Sequence, residues 1–191
     1  MFCYQCEQTA ACRGCTGKMG VCGKKEDTAA LQDQLTGALI GIARASNGNE
    51  HLLNGDITAL IIESLFATLT NVNFDNASLK GLLVRAAAAK ASMVPDCAVC
   101  DNSCGRTDNY DMNDLWNAEE DIRSLKSLIL FGIRGVAAYA YHAAILGYHS
   151  KTVEDFLYKA LFVIGEDMTM EELLPVVLEV GKVNIDWMCL V

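Results

Sequence analysis

Four cysteines near the N-terminus carry the strongest chemical signal in the sequence. Cys3, Cys6, Cys15 and Cys22 are separated by two, eight and six residues. Thiolates select iron–sulfur clusters, zinc or copper(I). An iron–sulfur cluster also needs backbone N–H groups directed at its sulfur atoms. Glycines, which have no Cβ, let the backbone come that close, and the segment contains Gly14, Gly17, Gly20 and Gly23.

A structural zinc site is the main alternative for these cysteines. Zinc ribbons usually pair two short Cys-x2-Cys knuckles, and here only Cys3 and Cys6 have that spacing. The spacing therefore favours an iron–sulfur cluster and leaves zinc as the second choice.

A second cysteine group could form another site. Cys97, Cys100 and Cys104 lie in the middle of the chain, and Cys12 would complete a set of four if this region folds back towards it. The group predicts either a second cluster or zinc ion, or else solvent-facing thiols or a redox pair. The remaining Cys189 lies in an apolar run, so we expect it to be a core thiol.

Composition excludes several functional classes. The 191 residues are 52% hydrophobic and carry a formal net charge of −9, which fits a globular protein of one domain or two small ones. No stripe of Lys and Arg could neutralise a phosphate backbone, and an acidic surface disfavours anionic membranes. We expect no nucleic-acid or membrane partner. The N-terminus lacks the features of a signal peptide, so we expect a cytoplasmic protein with reduced cysteines.

The rest of the chain is predicted to be all-α. Apolar residues recur on one helical face at Leu31, Leu35, Ala38, Leu39 and Ile42. Further helices are expected over residues 56–70 and 76–92, with a long loop over 93–117. Asn117 is expected to cap a fourth helix that ends near residue 148. Capping-box spacings then predict two more helix starts, one at Thr152 with Asp155 and one at Thr169 with Glu172.

An internal repeat divides these helices into two groups of three. Residues 31–41 resemble residues 125–135, and residues 63–66 resemble residues 159–162, at nearly equal offsets. We therefore predict two three-helix bundles related by duplication. The expected organisation is a cysteine-rich segment (1–25), a first bundle (26–93), a cysteine-bearing connecting loop (94–117) and a second bundle (118–191).

Several blocks of the sequence closely resemble the hybrid cluster (prismane) proteins, also called hydroxylamine reductases. The matching blocks cover nearly the whole chain, at residues 1–9, 14–16, 20–24, 28–33, 63–75, 120–125 and 137–147. In that family the N-terminal domain is a pair of three-helix bundles. The resemblance implies that Cys3, Cys6, Cys15 and Cys22 hold a [4Fe–4S] cluster. A branch of the family carries [2Fe–2S] with a longer gap before the third cysteine.

The resemblance also implies a role. Family members continue into two further domains that hold a catalytic hybrid cluster, and nothing in this sequence corresponds to them. The chain is thus expected to relay electrons from a ferredoxin-like donor to downstream catalytic domains or a partner subunit, with no catalytic residue of its own. The implied parent reaction is reduction of hydroxylamine to ammonia and water. The alternative is a zinc- or thiol-based structural or interaction module without a redox role.

Overall fold

The structure, a computed structural model, describes residues 3–6, 14–46, 53–93 and 109–189. These residues form seven helices and no strand, apart from an isolated bridge between Cys3 and Cys15. The all-α prediction is confirmed. The helices are α1 (Glu26–Ser46), α2 (Gly55–Ala67), α3 (Asn76–Met93), α4 (Met112–Trp116), α5 (Glu120–Ile145), α6 (Lys151–Gly165) and α7 (Met170–Met188).

The helix starts test the capping predictions one by one. At α7 the predicted capping box is present, because Thr169 and Glu172 each accept a hydrogen bond from the other's backbone N–H. The prediction for Asn117 is wrong. Glu119 caps α5 by accepting from the N–H groups of Asp121 and Ile122, and Asn117 instead ends α4.

The start of α6 also differs from the prediction. The helix begins at Lys151 after Ser150, so Thr152 lies within its first turn and does not cap it. Ser150 itself makes no side-chain capping bond. A spacing that permits a capping box does not decide between neighbouring polar residues, because the entry angle of the chain selects which residue takes the N-cap position.

The predicted loop over 93–117 contains a short helix at its C-terminal end. Asp111 caps α4, and Leu115 and Trp116 are buried against α1 and α5. Turn-forming Asp and Asn residues flank this helix and hide it in the sequence pattern. Residues 94–108 of the loop lie outside the described residues, and so does the second cysteine group, Cys12, Cys97, Cys100 and Cys104.

The helices share one hydrophobic core. The first half of the chain (α1–α3) and the second half (α5–α7) pair their helices in the same order. The most extensive contacts are those of α1 with α3 and of α5 with α7. The most extensive contact of the middle helix of each half is with a helix of the other half, α2 with α5 and α6 with α1. The duplication and its two separate bundles stay a prediction, while the packing makes the halves mutually dependent.

Helix α5 is long and apolar enough to cross a membrane by length and composition alone. It packs against α2, α6 and α7 and buries Ile129, Ile133 and Val136 in the common core. These properties are those of a central core helix. The prediction that Cys189 is a core thiol is wrong, because Cys189 ends α7 with its side chain exposed.

Candidate metal centre

The four N-terminal cysteines line one small cavity. Cys3 is buried, and Cys6, Cys15 and Cys22 are partly buried around it. The other residues of the lining come from the same segment and from the chain after α2: Gln5, Gly20, Val21, Lys24 and Thr70. Thus the structure brings together all four residues that the sequence selected as ligands, although they are spread over residues 3–22.

A backbone contact joins the first and third cysteines. The N–H of Cys15 donates to the carbonyl of Cys3 at 2.8 Å. Gly14 precedes it with a φ of +71°, in the left-handed region that favours glycine. A Cβ at Gly14 would lie 2.8 Å from the Cys3 oxygen and 2.9 Å from the ring of Tyr4. Both the conformation and the space therefore require glycine at this position.

A tight turn presents the fourth cysteine. The N–H of Gly20 donates to the carbonyl of Lys24 at 2.8 Å, and the N–H of Gly23 donates to the carbonyl of Gly20 at 2.9 Å. Gly23 has a φ of +86° and faces open space. This closed loop holds Cys22 at the cavity and leads directly into α1.

The donor set of the cavity consists of four thiols, and the lining offers no carboxylate or imidazole. Thiolates are the ligands of iron–sulfur clusters, zinc and copper(I). Among the described residues, no group of three or more His, Cys, Asp or Glu side chains that could hold a metal ion is found.

Gln5 ties the cysteine segment to the helices. It lies between Cys3 and Cys6 and is only 2% exposed. Its Nε2 donates to the carbonyl of Ala29 at 2.9 Å and to Oδ1 of Asp33 at 2.8 Å. Its Oε1 accepts from Nζ of Lys24 at 2.6 Å. One side chain therefore fixes the first cysteine pair to α1 and to the turn that carries Cys22.

Asp33 extends this network to the connecting segment. Its Oδ2 accepts from Nε1 of Trp116 at 3.3 Å, and the Trp116 ring lies against Tyr4 with centroids 5.8 Å apart. Burial raises the pKa of Asp33, while the Gln5 hydrogen bond and the Arg134 charge oppose that rise. The hydrogen bond from Trp116 also acts against the rise.

Burial acts on the charged groups at the cavity itself. Burial raises the pKa of the Cys3 thiol, and the backbone hydrogen bond from Gln5 and the Lys24 charge oppose this rise. Burial lowers the pKa of Lys24, with the negative charges of Cys3 and Cys22 in opposition. The Cys3 sulfur and the Lys24 ammonium therefore stabilise each other's charged form.

The sequence analysis missed the polar residues that support the cysteines. Gln5, Lys24 and Asp33 lie inside blocks that resemble the family, and Trp116 lies in the predicted loop, but the sequence pattern indicates no role for them. Arg134 was the most detectable of the missed residues. It shares a helix face with Leu130 and Ala137, both of which are apolar, and a cation on such a face signals a buried polar function.

Comparison with known proteins agrees with this arrangement. The model of the Prismane/CO dehydrogenase family matches residues 1–191. Hydroxylamine reductases from Methanococcus vannielii and Clostridium novyi are 39% and 35% identical to the whole chain, and each match covers 38% of the relative. The hydroxylamine reductase of Desulfovibrio desulfuricans is 36% identical over the same share.

The chain therefore spans less than two fifths of the length of these relatives. The match runs through both the cysteine segment and all seven helices described above. Family membership supports an iron–sulfur cofactor over the alternatives that the spacing left open. This chain belongs to the Prismane/CO dehydrogenase family.

Proposed function

We propose that this chain binds an iron–sulfur cluster through Cys3, Cys6, Cys15 and Cys22 and relays electrons within a hydroxylamine-reductase-type protein. The observation that carries the proposal is the single cavity lined by all four thiols. The glycine-dependent turns on either side hold those thiols in place, and the relatives named hydroxylamine reductase match the chain throughout.

The cluster type proposed is [4Fe–4S], because the gap of eight residues before Cys15 resembles that branch of the family; [2Fe–2S] is the alternative. The four thiolates would bind the cluster, and it would supply one-electron chemistry when bound. The chain itself would enclose the cluster on one side and leave it accessible on another. Cys3 is buried on the side that faces α1, whereas Val21 of the same cavity is 72% exposed.

That asymmetry suits a relay. An electron donor can approach the exposed edge near Val21, and the helices shield the opposite side from water. We propose a ferredoxin-like donor in the cytoplasm, and acceptor groups in the part of the relatives that this chain does not span, or in a partner subunit. Reduction of hydroxylamine is proposed for that larger assembly, and this chain contributes no catalytic residue to it.

A pair of serine substitutions tests the ligand assignment. Cys15→Ser removes one of the four thiols at the cavity, while Cys189→Ser removes an exposed thiol at the end of α7. After anaerobic purification, we expect Cys15→Ser to lose iron and the broad visible absorption of a cluster. Cys189→Ser should retain both. Unchanged absorption in Cys15→Ser would contradict the assignment.

Metal analysis of the same preparations separates the alternatives. A [4Fe–4S] site predicts about four iron atoms per chain, and a [2Fe–2S] site about two. A colourless protein with one tightly bound zinc would instead support a structural module. Iron or zinc beyond one cluster would indicate a second site at Cys12, Cys97, Cys100 and Cys104.

A further inference from the structure

Among the described residues, two buried cations have no carboxylate at salt-bridge distance, Lys24 in the lining of the cysteine cavity and Arg134 in α5. Lys24 is 2% exposed and Arg134 is 1% exposed. The ion pairs of the described residues involve other cations throughout: Arg44, Arg85, His149, Lys151 and Lys159. Because a buried charge is costly without a partner, both positions call for an explanation.

Lys24 is surrounded by neutral groups and cysteine sulfurs. Its Nζ donates to Oε1 of Gln5 and lies 5.8 Å from the ring centroid of Phe74. The Lys24 side chain lines the cavity together with the four thiols. The ammonium is thus placed to interact with thiolates, which carry charge only when they are ionised or bound to metal.

Arg134 reaches the same region from α5. Its Nε donates to Oγ1 of Thr68 at 3.1 Å, and its Nη2 donates to Oγ1 of Thr36 at 2.9 Å. Within the described part of the chain, Nη1 has no acceptor. Burial lowers the Arg134 pKa to about 10, so the guanidinium remains charged at neutral pH, and the Asp33 and Cys3 charges support it.

Among the described residues, Asp33 is the carboxylate whose charge supports both cations. Four thiolates on an iron–sulfur cluster carry more negative charge than the iron–sulfur core neutralises. A cluster held by the four cysteines would therefore add negative charge beside Lys24, which lines the same cavity.

We propose that Lys24 and Arg134 raise the reduction potential of the cluster by stabilising the additional negative charge of its reduced form. The inference rests on the proposed function, since it needs the cluster. Reduction adds one electron, delivered by a ferredoxin-like donor, and breaks no bond. A fixed positive charge in a low-dielectric interior favours the state that holds the electron, because its field is poorly screened there.

A redox titration followed by electron paramagnetic resonance tests the role of Lys24. The anaerobically purified wild type is compared with Lys24→Met and with Lys126→Met. Lys126 is the matched control, because it is also buried but faces carboxylates. We expect Lys24→Met to reduce the equilibrium constant for reduction about tenfold, a fall of about 59 mV for a one-electron couple. Lys126→Met should leave the potential unchanged.

Substitutions of Arg134 provide a second test in the same redox titration, with Arg134→Lys as the control. Arg134→Met should lower the potential in the same direction, while Arg134→Lys keeps the charge and should stay near the wild-type value. Where Arg134→Met does not fold, the comparison of Lys24→Met with Lys126→Met decides alone. Equal potentials in Lys24→Met and the wild type overturn the inference and leave the proposed function standing. A wild-type chain that binds no cluster overturns both.

Discussion

Two buried lysines, one in each of two regions of this molecule, have their positive charge compensated by different kinds of group. Lys24 at the cysteine cavity is 2% exposed, and Lys126 in α5 is 5% exposed. In both cases burial lowers the pKa of the ammonium group. The two lysines differ in the groups that oppose this lowering of the pKa.

Lys126 is compensated by groups that the folded chain always supplies. Its Nζ donates to the carbonyl of Glu166 at 2.7 Å, and its charge is supported by the carboxylates of Asp167, Glu166 and Asp114. Carboxylates are ionised at neutral pH whether or not a cofactor is present. The surroundings of Lys126 are therefore complete without any other group.

Lys24 depends on partners of another kind. Cysteine thiols are mostly neutral at pH 7, and burial raises the pKa of Cys3 further. Metal binding removes those protons and supplies the negative charge permanently. Lys126 is thus compensated by the folded chain, whereas the proposed cluster would supply the negative charge beside Lys24.

The largest expected effect is the difference between two glycine substitutions, one at the cysteine cavity and one in the helical core. Gly14→Ala would place a Cβ against the Cys3 carbonyl in a left-handed backbone conformation. Gly132→Ala would place one 2.2 Å from Cγ1 of Val180, where α5 packs on α7. We expect Gly14→Ala to lose most of its bound iron, because the strain falls on the backbone that positions two ligands.

The expected result for Gly132→Ala is the reverse. Overpacking at the helix contact should lower the free energy of unfolding by about 1–3 kcal/mol while iron per chain stays at the wild-type level. Iron content and urea unfolding, measured on both variants, test the pair. If Gly132→Ala lost as much iron as Gly14→Ala, iron binding would depend on the helix packing as much as on the cysteine region.

A smaller effect is expected in the metal-free protein. Lys126→Met leaves the Glu166 carbonyl and nearby carboxylates without their cation, which should cost about 1–3 kcal/mol of unfolding free energy. Lys24→Met leaves Oε1 of Gln5 without its donor, but it removes a cation whose charge fewer carboxylates support, so it should cost less than Lys126→Met. Urea unfolding of the metal-free variants measures both. A greater loss for Lys24→Met would show that its neutral contacts already compensate its charge.

The scaffold could be predicted from sequence because its signals are local. The apolar spacing from Leu35 to Ile42 and the Thr169 capping box arise within single helices, and both appear in the structure. The errors at Asn117, Thr152 and Cys189 concern choices that tertiary packing makes. Whether Cys189 is buried depends on what packs against the end of α7, and periodicity does not contain that information.

The site could be predicted only in part, because its supporting contacts also depend on tertiary packing. Cysteine type and spacing identified four thiols that line one cavity. The supporting network joins residues far apart in the chain, such as Trp116 with Asp33 and Arg134 with Thr36. Such pairs follow from the crossing of α1, α4 and α5, which no local pattern specifies.

The smallest expected effect is a pH dependence at the capping box of α7, far along the chain from the cysteines. Hydrogen bonds from Thr169 lower the pKa of Glu172 below its ordinary value of 4.5. The carboxylate's contribution is therefore present above pH 4.5 and is lost as pH falls through the lowered pKa. We expect the melting temperature of Glu172→Gln to lie below that of the wild type at pH 7, with the difference shrinking at lower pH. Since the box touches no cluster ligand, iron content at pH 7 should be identical in both proteins. A difference between them that grew on acidification would mean that Glu172 is stabilised in its neutral form, contrary to the hydrogen bond its carboxylate accepts from the Thr169 N–H at 2.8 Å.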